Sequence, residues 1–149
     1  MTWYKQLNDG VVGSGFTGYE DYYDDPNFTW DDLRYALTLK YGQAFSGGWD
    51  RLVFKTKYGV VKLAYPNHEG MNYREEFNYQ ITRQNKEFIK IARCRIVFVK
   101  GFPLLLMEWI KPYWEVGLSY KDFPEWCGFI DGNQVGYNRK GELVAFDAA

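Results

Sequence analysis

The sequence is short of metal-binding and cross-linking side chains. Its 149 residues include one histidine, His68, and two cysteines, Cys94 and Cys127. A lone imidazole cannot assemble a histidine-based metal centre, and two thiols so placed fit neither a disulfide framework nor a zinc spacing. The expected setting is therefore reducing and cytoplasmic. An excess of charge of one sign is also missing. The 18 Lys and Arg against 19 Asp and Glu leave a net charge of -1, so no global field recruits nucleic acid or an anionic membrane, and neither is expected as a direct partner. The longest apolar run, "FPLLLMEWI", is too short to cross a bilayer, and "MTWYKQLNDG" has no basic stretch leading into an apolar one. The length suits one hydrophobic core.

Aromatic side chains are abundant, at 20% of the chain. They crowd the beginning, where "GSGFTGYEDYYDDPNFTW" mixes them with acids and glycines without a helical or strand period. Residues 1–28 thus read as an irregular acidic, aromatic arm. Its plainest role is that of a solvated terminus. Its functional role is a surface, with Tyr19, Tyr22, Tyr23, Asp24 and Asp25, offered to a basic partner, and one version of that role is a mimic of nucleic acid.

Regular structure is expected from Thr29 onward, and residues 29–149 read as a single domain. "TWDDLRYALTLKYG" has a capping threonine, acids in the first turn, a Leu33–Leu37–Tyr41 stripe and a closing glycine, which predicts a helix from about Trp30 to Tyr41. The period then changes to two. "QAFSGGWDRLVFKTKYGVVKLAY" predicts three antiparallel strands, turning at the Gly47–Gly48 pair and at Tyr58–Gly59. "MNYREEFNYQITRQNKEFIK" predicts a helix of about twenty residues, with Tyr73, Phe77, Ile81 and Phe88 facing inward. "CRIVFV" and "PLLLMEW" predict two further strands joined at Lys100–Gly101. The predicted class is α+β: a five-stranded antiparallel sheet, one long packed helix, an N-terminal helix and a C-terminal β-hairpin.

The stretch "GVVKLAY" sets a chemical problem inside this plan, because Lys62 stands in a strand that otherwise wants burial. An unpaired ammonium there costs several kcal/mol, so a carboxylate must meet it. The long helix opens with "NYREE", and Glu75 or Glu76 is within its reach. Glu75 is favoured if Tyr73 and Phe77 face the core. The glycine pair leaves room above the lysine for a phosphate to approach backbone amides.

Glycine hairpin, the lysine of "VVKLA", a helix glutamate, "LLLMEWIKP" in the place of a hinge and "DGNQVGYNRKGELVAFD" as a catalytic hairpin together resemble the protein kinase and aminoglycoside phosphotransferase superfamily, from about Gly42 onward. That resemblance implies a kinase N-lobe-like sheet and a site for ATP and magnesium. Lys62 would bind phosphates and Glu75 would hold it. Gly47 and Gly48 would cover the phosphates, and Met107 would line an adenine pocket beside the Glu108–Ile110 backbone. Asn133 or Gln134 would be the metal-binding amide and Asp147 the metal-binding aspartate. An ending of the type G-x-L-V-x-x-D is also similar to small bacteriophage proteins, which would place the chain in a host cytoplasm.

The departures shape the functional expectation. The catalytic base of active members stands five residues before the metal-binding asparagine, and the matching positions here are Gly128 or Phe129, neither of which can accept a proton. Asp131 is the nearest carboxylate. After Asp147 only two alanines follow, so the helical lobe that would present an acceptor is not expected. The leading expectation is a truncated, kinase-like protein that acts by binding and modulating a protein partner, with or without nucleotide. Tyr113, Trp114 and Trp126 would add to the contact surface, which self-association would cover equally well. The rival is a minimal active kinase in which Asp131 or Asp147 serves as base.

Overall fold

In a computed structural model, which describes residues 26–44, 46–47, 50–85, 90–116 and 134–146, the described residues are α+β, with two helices and antiparallel sheets. The arm up to residue 25, and with it Tyr19, Tyr22, Tyr23, Asp24 and Asp25, lies outside the described residues. Helix α1 (Trp30–Tyr41) begins as predicted: the Thr29 hydroxyl accepts from the Asp32 amide at 3.1 Å, and the Asp32 carboxylate accepts from the Thr29 amide at 2.9 Å. The Gly42 amide closes the last turn onto the Thr38 carbonyl.

The main sheet is carried by β2 (Arg51–Lys55), β3 (Gly59–Ala64), β4 (Cys94–Val99) and β5 (Phe102–Glu108), with a two-residue strand, β1 (Ser46–Gly47), at one edge. Its order is β1-β2-β3-β5-β4. The β4–β5 turn is two residues long, and Lys100 and Gly101 both take positive φ, 51° and 87°, which matches the twist of the flanking strands. Helix α2 (Gly70–Asn85) intervenes between β3 and β4. No described helix is long and apolar enough to cross a membrane.

Strand alternation divides this sheet into two faces. On one, α1 lays Leu33 and Leu37 against Leu52, Phe54, Val61, Leu63, Val97, Val99, Leu104 and Leu106. The Trp30 indole donates to the Ala64 carbonyl at 2.8 Å and fixes the start of the helix. The other face carries α2 and a second apolar cluster of Val60, Ala92, Cys94, Leu105, Met107, Ile110 and Val144.

A second sheet joins that face. Beyond the expected C-terminal hairpin of β7 (Val135–Asn138) and β8 (Leu143–Ala145), Ile110–Pro112 forms a third strand, β6, in the order β6-β7-β8. The kinase resemblance puts a hinge at this segment, and no strand was expected there; Ile110, Lys111 and Pro112 pair with Asn138, Tyr137 and Gly136. Gly136 makes the pairing with β6 possible: a Cβ there would stand 2.4 Å from the Lys111 carbonyl oxygen. Backbone bonds from the Ala92 amide to the Ala145 carbonyl and from the Ala145 amide to the Lys90 carbonyl, both 2.8 Å, tie β8 to the approach of β4.

Candidate functional site

Lys62 lies in the middle of β3, opposite Val53 of β2 on one side and Leu105 of β5 on the other. Its neighbours Val61 and Leu63 point into the α1 core, so alternation sends its side chain to the α2 face. There its Nζ donates to both carboxylate oxygens of Glu75, at 3.0 and 3.1 Å. The expected pair is present, and both partners are almost wholly buried, at 3% and 0% exposure.

A second cation shares the carboxylate. The Arg51 guanidinium, from the first residue of β2, donates to Glu75 at 2.6 Å and to the Asn72 side-chain oxygen at 3.2 Å. Asn72, one turn before Glu75 on α2, completes the frame: its side-chain nitrogen donates to the carbonyls of Lys62 at 3.2 Å and Pro103 at 3.4 Å. All four side chains are buried.

Burial by itself would raise the Glu75 carboxyl, but the charges of Lys62 and Arg51, and their hydrogen bonds, outweigh it and hold the group below the usual carboxylate range. Glu75 is therefore an anion at neutral pH. Cys94, beside it, is the opposite case: burial, followed by the Glu75 charge, pushes its thiol up, and its Sγ lies 3.8 Å from the Glu75 carbonyl oxygen. Such a thiol is not a nucleophile.

The path by which Glu75 was favoured in the sequence needs correction. Tyr73, Phe77 and Ile81 do not face the core; they are 45%, 61% and 39% exposed. The inward face of α2 is formed instead by Asn72 and Glu75, with Tyr79 against the second cluster. The polar stripe is buried and the apolar one is outside, an inversion that follows from the cations waiting on the sheet. Phe88 lies outside the described residues. Glu76 accepts from the Ile96 amide, on the flank of the helix nearest β4. Arg51 and Asn72 were not anticipated. Arg51 could have been found from register, since it lies two residues before Val53, on the face that Lys62 shares.

Met107 and Ile110 belong to the second apolar cluster with Val60, two residues from Lys62 along β3 and on its face. Glu108 is buried, its carboxylate accepting from the Arg93 amide at 2.7 Å and guanidinium at 2.9 Å, and its own amide donates to the Arg93 carbonyl. Gly47 lies in β1, Gln134 precedes β7 and accepts from the Phe146 amide, and Tyr113 is half-buried against Val135 and Ala145. Trp114 lies in the 3-10 turn Tyr113–Val116. Gly48, Trp126, Asp131, Asn133 and Asp147 lie outside the described residues. Among the described residues no three His, Cys, Asp or Glu side chains group to hold a metal ion.

Chemically, the cluster fixes an ammonium in place on the face of the main sheet that carries α2 and the second apolar cluster. A charge held in this way presents a donor without reorganisation. No family model, no curated protein and no solved structure matches the chain.

Proposed function

We propose that the chain is a kinase-like lobe that holds a nucleotide phosphate on the Lys62 ammonium and acts by binding a protein partner, without transferring phosphate. The observation that carries this reading is the buried Lys62–Glu75 pair, 3.0 Å apart, joining a central strand to the long helix that follows it. Its surroundings support it. The strand order places β5, which leads to Met107 and Ile110, directly beside β3. Met107, Ile110 and Val144 gather on Val60, so the proposed hinge and catalytic hairpin meet on the lysine's side of the sheet. In this reading the two sheets and α2 correspond to a kinase N-lobe with its catalytic hairpin, and ATP with magnesium is the ligand.

The absence of transfer rests on the sequence: Gly128 and Phe129, at the places that match the base, cannot accept a proton from an acceptor hydroxyl. The aromatic arm and the Tyr113–Trp126 region supply the surface for the partner.

The test is thermal unfolding of the full chain with magnesium and ATP, together with phosphate release. The expected result is a rise in midpoint with nucleotide, no phosphate release above buffer, and loss of the rise in Lys62→Met. Phosphate release that disappears in Lys62→Met would make the protein an enzyme. An unchanged midpoint at millimolar nucleotide would remove the phosphate clamp.

A further inference from the structure

The net charge of -1 hides an uneven distribution. Residues 1–25 contain one base (Lys5) and five acids (Asp9, Glu20, Asp21, Asp24, Asp25), 1 − 5 = −4, so residues 26–149 carry −1 − (−4) = +3. Four exposed cations of that part stand where the β2–β3 turn meets the small sheet. Lys57 lies in the turn, Lys111 in the middle of β6, and Arg139 and Lys140 in the β7–β8 turn.

The geometry joins them. The Arg139 guanidinium donates to the Lys57 carbonyl at 2.6 Å and lies over the Trp109 ring, 5.3 Å from its centroid. Ile110 pairs with Asn138 and Lys111 with Tyr137, and Ile110 is buried in the second apolar cluster, so alternation turns Trp109, Lys111 and Arg139 to the outer face of the small sheet. Both turns are pinned by side chains. The Thr56 hydroxyl accepts from the Tyr58 and Gly59 amides at 3.1 and 3.0 Å, and the Asn138 side-chain oxygen accepts from the Lys140 and Glu142 amides at 3.0 and 2.9 Å. Among the described residues none of the four cations makes an ion pair. The acids on neighbouring segments are engaged by other lysines, Glu115 by Lys55 at 3.9 Å and Glu142 by Lys90 at 3.4 Å.

We propose that this face binds single-stranded nucleic acid. Cations gathered on pinned turns raise the local potential and recruit a polyanion, whatever the net charge of the whole chain. What selects nucleic acid over an acidic protein surface is the planar guanidinium of Arg139 held over the Trp109 ring. Such a pair offers a flat face to an unpaired base and N–H groups to a phosphate, and cations interleaved with aromatic rings on a sheet are a common seat for single strands. A partner bearing only carboxylates would use the charges alone. The proposal does not rest on Lys62, whose ammonium is buried on Glu75, and it involves neither nucleotide nor magnesium.

The experiment is fluorescence anisotropy of a labelled oligothymidylate of about twenty nucleotides titrated with the full chain, without magnesium or ATP, so that its outcome is separate from that of the nucleotide test. Four phosphate contacts on a single strand predict an affinity that falls about fiftyfold between 50 and 200 mM salt. In Lys57→Gln combined with Lys140→Gln, affinity in 50 mM salt should be about tenfold lower and its further fall to 200 mM should shrink to about sevenfold, while the unfolding midpoint in urea stays unchanged. Arg139→Lys keeps the charge and loses the plane; binding about threefold weaker is expected, with the salt response kept. No binding in 50 mM salt, or equal binding by the native chain and the double variant, would overturn the proposal. So would polyglutamate of equal charge competing as well as the oligonucleotide itself, which would make an acidic protein the partner of this face.

Discussion

On the α1 side of the main sheet, Leu33 and Leu37 meet a buried bed of leucine, valine and phenylalanine. On the α2 side of the same strands, the centre of the contact is an ion cluster of one carboxylate, one carboxamide and two cations, flanked by the Glu76 bond to Ile96 and by Tyr79 on the second apolar cluster. Strand β3 serves both, Val61 and Leu63 to one face and Lys62 to the other. The first face is stabilised by area removed from water and tolerates loss of shape gradually. The second adds to its apolar cluster a group of ions that contributes only while its charges match, because desolvation of each ion is offset by the others or not at all. A protein that needed α2 only as a lid could have used leucines there too.

The largest effect should come from removing the one anion. Glu75→Gln leaves Lys62 and Arg51 buried around a neutral amide and should cost about 3–5 kcal/mol in urea unfolding. On the apolar face, Leu37→Ala should cost about 2–5 kcal/mol, set by how far α1 can settle into the space left. The contrast sharpens in the triple variant Arg51→Leu, Lys62→Met, Glu75→Met. It should be more stable than Glu75→Gln alone, as a buried ion cluster replaced whole by apolar groups is close to neutral. If the triple variant were the less stable of the two, the division between the faces would be wrong.

Acid should act on one face only. Because the folded Glu75 carboxyl titrates below its unfolded value, its contribution is complete above the unfolded carboxylate pKa of about 4.3 and is lost as pH falls through the lower, folded value. Denaturant midpoints measured downward from neutral pH should therefore decline less steeply in the triple variant than in the native chain. The smallest effect expected is that of Thr29→Ala, which removes the cap of α1 and should cost about 1 kcal/mol, independent of any change at Glu75.

How much of this could be read from the sequence follows the same division. The α1 side was legible because its signals are local, a capping box and a leucine stripe, and so was the turn at Lys100–Gly101; the turn expected at Tyr58–Gly59 falls one residue earlier, at Lys57–Tyr58, with Gly59 already in β3. Lys62 and its need for an anion were legible too, since a charge in an apolar strand breaks a pattern. The inward face of α2 was not, because hydrophobic periodicity points Tyr73, Phe77 and Ile81 to the core, and the charges on the sheet override it. Arg51 looks like an ordinary strand-end cation until register places it beside Lys62. The third strand of the small sheet, Ile110–Pro112, depends on Gly136 lying against it, a contact between residues far apart in the chain.

The Asn72 carboxamide holds carbonyls on two neighbouring strands, β3 and β5, and it has no proton to gain or lose over the ordinary pH range. Its mooring is thus blind to acidity. When Glu75 is neutralised, the ions lose their mutual hold but the first turn of the helix keeps its anchorage on the strands, so acid should slacken the far turns of α2 before it frees the near one.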